Sequence, residues 1–210
     1  MVRLPVYRRI LSELLAEDAG NVHSEQLAQL ARVNAAKVRK DLSLLGSFGT
    51  RGTGYDVAFL LGQIDRALGA EDDWPVVVVG IGNLGTALVN SEGFTTRGYR
   101  IFALFDADPA VVGATVGGLV VRHIDTLSEV SGQVGSAIGV VATPAAAAQR
   151  VTDALVDVGI GAILNFAPQV LNVPPHVLLR HVDLGAELQV LSFFQLRRRG
   201  AVGEPVSGPR

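Results

Sequence analysis

An apolar run, Val76-Val-Val-Val79, leads directly into Gly80-Ile81-Gly82-Asn83-Leu84-Gly85, a G-x-G-x-x-G pattern. In a strand-to-helix turn the three glycines have separate jobs. Gly80 permits the tight turn, Gly82 lets the backbone approach a pyrophosphate, and Gly85 lets helix and strand pack closely. The helix that follows offers free amides to phosphate oxygens. Asp106 stands 21 residues past Gly85 at the end of the next apolar run. A carboxylate there accepts hydrogen bonds from ribose hydroxyls and repels a 2′-phosphate, which favours NAD(H) over NADP(H). Asp108 reads as an N-cap. Two later junctions suit the same ligand. Thr143-Pro144 places Thr143 as N-cap and Pro144 at the first position of an alanine-rich helix, and Asn165-Phe166-Ala167-Pro168 closes another apolar run. Helix capping and turn chemistry alone would also account for both.

A second chemistry lies upstream. The chain has sixteen Arg but only two Lys, and both lysines, Lys37 and Lys40, fall within four positions. Residues 1–55 carry eight basic against five acidic side chains, while the remainder carries ten against fifteen. Cations gathered at one end of an acidic chain suit phosphate neutralisation.

The elements that must position these residues follow from periodicity. Leu4, Tyr7, Leu11, Leu14 and Leu15 recur at helical spacing and predict an amphipathic helix from Arg3 to Asp18, ended by Gly20 and Asn21. Ser24 reads as N-cap of a second helix with Leu27, Leu30 and Ala31 inward. Asn34 caps a third that buries Val38, Leu42 and Leu45. That leaves Lys37, Arg39, Lys40 and Ser43 facing outward, as a helix-turn-helix would present them to a major groove. The stretch Gly46 to Tyr55 reads as a glycine-rich hairpin or wing with Arg51 at its tip, able to reach a phosphate or a minor groove. A solvated helix face beside an ordinary loop is the plainer alternative.

Asp56 to Leu68 predicts a further helix, and Gly69 to Pro75 a linker. Beyond it, Val76–Val79, Ile101–Phe105, Leu119–Val121, Ile138–Ala142 and Ala162–Leu164 are short continuous apolar runs separated by helical stretches, as in a parallel sheet covered on both faces. The last element, Asp183 to Arg199, carries Leu184, Leu188, Val190, Leu191, Phe193, Phe194 and Leu196 around most of its circumference, which predicts a dimerisation helix. The fold class is therefore α/β. A winged helix-turn-helix domain (1–74) precedes a Rossmann-like parallel-sheet domain (75–180), a dimerisation helix (181–199) and a disordered tail (200–210).

Composition excludes other classes. With 49% hydrophobic and 18% charged residues in 210, and no run of eighteen apolar residues, the chain reads as globular, without a membrane span. The absence of cysteine removes disulfides, thiol nucleophiles and thiolate zinc sites. The N-terminal residues lack the form of a signal peptide, so the cytoplasm is the expected location. No constellation reads as catalytic or metal-ligating. No lysine follows Lys40, so a Tyr-x-x-x-Lys pair is absent, and His23, His123, His176 and His181 fit structural or surface roles. Little chain is left for a substrate domain. A small NAD-dependent oxidoreductase and a sensor of another adenine-containing ligand such as coenzyme A stay open on the residues alone.

In order along the chain, Asn34-Ala-Ala-Lys-Val-Arg-Lys-Asp-Leu-Ser43, Gly46-Ser-Phe-Gly-Thr-Arg-Gly-Thr-Gly-Tyr55, Val79-Gly-Ile-Gly-Asn-Leu-Gly85, Phe105-Asp-Ala-Asp-Pro109 and Ile163-Leu-Asn-Phe-Ala-Pro168 resemble the Rex family of redox-sensing transcriptional repressors. The resemblance implies a homodimer that binds a palindromic double-stranded DNA operator and senses the NADH to NAD+ ratio. NADH would release the DNA, while NAD+ would compete for the same pocket. It implies Lys37, Arg39, Lys40 and Ser43 in the major groove and Arg51 in the neighbouring minor groove. Gly80, Gly82, Asn83, Leu84 and Gly85 would hold the pyrophosphate, Asp106 the ribose, and Thr143, Asn165 and Phe166 the nicotinamide half, with Ile81 and Pro144 also at the cofactor. The C-terminal helix would be swapped between subunits, bringing Phe193 to the partner's nicotinamide, and Arg9 and Asp183 would form a contact that changes between states. The chain departs from the family at Ser91, where many relatives carry Tyr.

Overall fold

The computed structural model describes residues 3–46, 53–70, 72–133 and 135–202, which fall into two compact units, Met1–Asp73 and Trp74–Arg210. The boundary lies one residue before the one read from the sequence. Trp74 and Pro75, expected in the linker, already belong to a strand.

The first unit contains α1 (Leu4–Ala16), β1 (Asn21–Val22), α2 (Ser24–Leu30), α3 (Ala35–Ser43), β2 (Tyr55–Asp56) and α4 (Val57–Leu68). Its core gathers Leu4, Tyr7, Ile10, Leu11 and Leu14 of α1 with Val22, Leu27, Ala28, Val38, Leu42, Val57, Leu60 and Ile64. A fully buried Leu of this kind contributes on the order of 2 kcal/mol. Two inward assignments are corrected. Leu15 and Leu30 are 42% and 50% exposed, and Ile10 and Ala28 are buried instead, because a single step around a helix carries a side chain 100° off the packed stripe. Asn34 caps α3 as expected, its Oδ1 accepting the Lys37 amide at 2.8 Å. Asp56 does the same for α4 at the Phe59 amide. Ser24 is not the cap of α2. His23 holds that position, and the Ser24 hydroxyl is engaged elsewhere. The expected hairpin or wing between Gly46 and Tyr55 lies largely outside the described residues, and β2, which follows it, pairs antiparallel with β1.

The second unit holds β3 (Trp74–Val79), α5 (Asn83–Val89), α6 (Glu92–Thr95), β4 (Tyr99–Asp106), β5 (Thr115–Val116), β6 (Leu119–His123), a 3-10 helix (Ile124–Gln133), β7 (Ile138–Val141), α7 (Ala145–Asp157), β8 (Ala162–Asn165), β9 (Leu178–His181) and α8 (Leu184–Val202). The sheet order is β5-β6-β4-β3-β7-β8-β9, parallel throughout except at β5. Strand order therefore reverses between β3 and β7, and the crevice at their carboxyl ends is the switch point where such sheets bind ligands. On one face, Val77, Val79, Phe105, Val141 and Ile163 pack under α7 and the 3-10 helix. On the other, Val76, Val78, Leu104, Val121 and Val140 meet Leu88 and Val89 of α5.

β5 and β9 were not expected from the sequence. Pro144, not Thr143, is the N-cap of α7, which begins at Ala145, because Pro144 takes an extended ψ of 151°. Asp108 caps a turn, accepting the Ala110 amide at 2.9 Å, and no helix follows. The last helix runs to Val202, so residues 200–202 are helical rather than part of a tail, and residues 203–210 lie outside the described ones.

Candidate functional site

In the first unit α3 turns Lys37, Arg39, Lys40 and Ser43 outward, all exposed. Arg51 lies outside the described residues. The four donors are in different states. The Ser43 hydroxyl donates to the Lys40 carbonyl at 2.9 Å. Arg39 donates from Nη1 to the Ser24 hydroxyl at 2.9 Å and to Glu25 Oε1 at 3.0 Å.

The inward face of α3 holds a charge that periodicity did not flag. Asp41 is 5% exposed and receives both Nε and Nη2 of Arg3 at 2.6 and 2.7 Å, with the Tyr7 hydroxyl donating at 2.9 Å. The Arg3 guanidinium holds the Asp41 carboxyl below its usual range. Burial, then the neighbouring Asp41, pushes the Tyr7 hydroxyl up. A bidentate guanidinium fixes orientation as well as distance, so this pair ties α3 to α1 and sets which way the outward donors point. The only sequence hint was an acid placed between Lys40 and Leu42.

In the second unit the glycine turn has the geometry that a dinucleotide demands. Gly80 has φ +95°, and a Cβ there would lie 2.7 Å from the Ala142 backbone and 2.9 Å from the Thr143 methyl. A Cβ on Gly85 would collide with the Gly80 carbonyl oxygen. Gly82, with φ −76°, faces open space, nothing lying within 4 Å of the place a Cβ would take. The outer two glycines thus serve the fold, and the middle one keeps an approach clear. Asn83 and Leu84 begin α5 and are exposed, and the first amides of a helix have no partner within it. Ile81 is buried. Its amide donates to Asp106 Oδ2 at 2.6 Å, and the Asp108 amide donates to Oδ1 at 2.9 Å. The Asp106 carboxylate is thereby fixed at the end of β4, beside the turn.

The opposite wall comes from β7 and β8. Thr143 Oγ1 is buried and, among the described residues, lacks a hydrogen-bond partner. An orphaned hydroxyl is costly, and Thr143, whose methyl faces Gly80, follows β7 at the switch point where such sheets bind ligands. Asn165 is fully buried, and its side chain is spent on its own loop. Nδ2 reaches the Ala167 and Gln169 carbonyls at 3.0 and 3.1 Å and His181 Nδ1 at 3.0 Å, while Oδ1 accepts the Ala167 amide. Its part is to hold the loop that presents Phe166, whose amide donates to the Val141 carbonyl. Pro144 is exposed at the mouth of α7. These residues fit a dinucleotide, with a clear phosphate approach, a fixed carboxylate and a waiting hydroxyl.

Ser91 caps α6, accepting the Gly93 amide, and lines an apolar groove with Val76, Ile138, Val140, Leu164 and Leu178 on the other sheet face. Arg9 is exposed on α1, and Asp183 accepts the Ala186 amide at the start of α8. Phe193 is 51% exposed on α8, edge-on to Phe194 and beneath the Arg197 guanidinium. Among the described residues no helix is long and apolar enough to cross a membrane.

Comparison with known proteins adds two family models, "CoA binding domain" over residues 71–169 and "Putative DNA-binding protein N-terminus" over residues 1–43. A relative in Streptomyces coelicolor, the redox-sensing transcriptional repressor Rex, is 55% identical over 95% of this chain and 78% of its own. The solved structure of RSP in complex with β-NAD+ and operator DNA matches with a TM-score of 0.85 and 32% identity, over 97% of this chain and 95% of that one. RSP in complex with β-NADH matches equally, at 0.85 and 32% over 94% and 92%.

Proposed function

The chain belongs to the Rex family of redox-sensing transcriptional repressors, and from that premise we propose that it represses transcription by binding operator DNA until NADH occupies its second unit. It is a regulator rather than an enzyme. The observation that carries the reading is the open space at Gly82 beside the fixed Asp106 carboxylate, in a chain whose other unit presents Lys37, Arg39 and Lys40 on one capped helix.

NADH and NAD+ share one site. Gly82, Asn83, Leu84 and the α5 amides hold the pyrophosphate, Gly80, Ile81 and Gly85 shape the turn, and Asp106 takes the adenosine ribose. Thr143 supplies its free hydroxyl to the nicotinamide half, where Pro144 and Phe166 close the wall that Asn165 braces. The nicotinamide supplies a ring whose charge and shape differ between its redox states. Nothing is transferred to a substrate, and the chain converts that difference into a change in DNA affinity. A ligand moves such an equilibrium only by its differential affinity for the two states.

The working form is a homodimer. In α8, Leu188, Val190, Leu191, Phe193, Phe194 and Leu196 are all half or more exposed, an apolar surface that calls for a second copy. Exchange of α8 between copies would bring Phe193 to the partner's nicotinamide and let Arg9 and Asp183 report the state of the dimer. Such a repressor acts in the compartment that holds its operators, the cytoplasm.

Two substitutions separate the units. Asp106→Ala should weaken NADH by about 10- to 100-fold, the scale of one or two charge-assisted hydrogen bonds, and leave operator affinity unchanged. Arg51→Ala should do the reverse, lowering operator affinity with NADH affinity intact. Fluorescence titration and operator binding at one salt concentration check both. Unchanged NADH affinity in the first, or equal losses of both ligands in the second, would contradict the assignment.

A further inference from the structure

The outward donors of α3 are not equivalent, and the difference assigns them different partners on DNA. Lys37 and Lys40 are exposed, and among the described residues neither ammonium has a hydrogen bond or ion pair. Arg39 is held. Both of its contacts use Nη1, which donates to the Ser24 hydroxyl and to Glu25 Oε1. The triangle is closed by the Ser24 hydroxyl, 3.1 to 3.2 Å from the two Glu25 oxygens. Ser24 is itself 9% exposed at the first position of α2, so the anchor is part of the packed unit. Tyr55, on the strand that follows the glycine-rich segment, lies near enough to Arg39 and Glu25 to feel both charges.

A guanidinium pinned through one Nη keeps its Nε–H and the other Nη–H side by side. That fork matches the O6 and N7 acceptors of guanine in the major groove. The same clamp sets a carboxylate beside the helix that meets DNA, and a carboxylate repels phosphate. Two exposed ammoniums without partners among the described residues are suited to phosphates, which position the protein, and one aimed fork is suited to a base edge, which specifies sequence.

We propose that Ser24 and Glu25 are positioning residues that aim Arg39 at a guanine edge and disfavour its use on the phosphate backbone, so that Arg39 is a specificity-determining residue of α3. This rests on reading α3 as the recognition helix.

The test begins with a DNA duplex enriched from a random palindromic library by the unmodified full-length chain. Affinities are then measured at one salt concentration for that duplex, for single base-pair replacements of it and for a scrambled duplex. The proteins are the unmodified chain, Arg39→Ala, Glu25→Ala, Glu25→Gln and Ser24→Ala. Arg39→Ala should erase discrimination at one G·C pair, a 10- to 100-fold effect on the order of one bidentate contact. Glu25→Ala should lose most of the same discrimination while binding scrambled DNA about threefold more tightly, one repulsive charge having gone. Glu25→Gln keeps an acceptor at the same reach, so it should retain the discrimination although its scrambled affinity rises like that of Glu25→Ala. Ser24→Ala should fall between. The Glu25 side chain is 71% exposed, so the two Glu25 variants should melt like the unmodified chain, and a purely structural role would not single out one base pair. Equal scaling of enriched and scrambled affinities by Glu25→Ala would overturn the proposal, as would discrimination that survives Arg39→Ala. Failure of the unmodified chain to enrich any sequence would instead overturn the DNA-binding reading beneath it.

Discussion

Gly82→Ala is expected to leave a folded protein that binds operator DNA but no longer releases it in NADH. Gly82 has an ordinary φ and nothing within 4 Å of the added carbon, so the fold has no objection to alanine there. The methyl group would stand where the pyrophosphate must approach the backbone. Losing one or two charge-assisted hydrogen bonds to phosphate costs about 1.4–2.7 kcal/mol, or about 10- to 100-fold in NADH affinity. Gly85→Ala is the control with the opposite logic, because its Cβ would run into the Gly80 carbonyl oxygen and force the turn apart. It should lower the melting temperature of the second unit, which Gly82→Ala should not. The pair is read by NADH titration and thermal melting. Gly82→Ala binding NADH normally would place the phosphates elsewhere.

The second large effect concerns α8. Leu188 and Leu191 are 64% and 61% exposed, so Leu188→Asp with Leu191→Asp removes little packing within the unit. If a second copy covers this helix, the double variant should sediment as a monomer. It should then lose about a hundredfold in affinity for a palindromic operator, because two half-sites are no longer bound through one linked pair. Melting of each unit should change little. A double variant that still sediments as a dimer would move the subunit contact to another surface.

How far the sequence disclosed these sites depended on how local the cause was. The glycine turn and Asp106 were legible because a strand-to-helix turn fixes which positions need a missing Cβ, and a second strand end must lie beside it. Asn34 was likewise legible, since a cap bonds an amide only three residues on, whereas Asp56 was read as the first residue of a helix that it in fact caps. Thr143 and Pro144 follow β7 as the apolar run implied, with their capping roles shifted by one residue, a difference that rests on the ψ of Pro144 alone. What stayed hidden depended on distant partners. Arg3 meets Asp41 across 38 residues, and Arg39 meets Ser24 across 15, pairings that no periodicity announces. Asn165 sits where a cofactor contact was expected, yet its amide is consumed by its own loop and by His181, whose strand β9 was itself unforeseen. The apolar pattern of α8 was visible, and its exposure within one chain gives that pattern its meaning.

Coupling between the two units is the central claim, and one titration tests it most directly. Operator complex at fixed salt is titrated with NADH in a constant background of NAD+, and NADH affinity is measured in parallel with and without saturating operator. The expected result is release by NADH but not by NAD+, with operator weakening NADH by the same factor as NADH weakens operator, since coupling between two binding sites is reciprocal. Release by both cofactors alike, or equilibrium factors that differ between the two directions, would contradict a two-state redox switch in this chain.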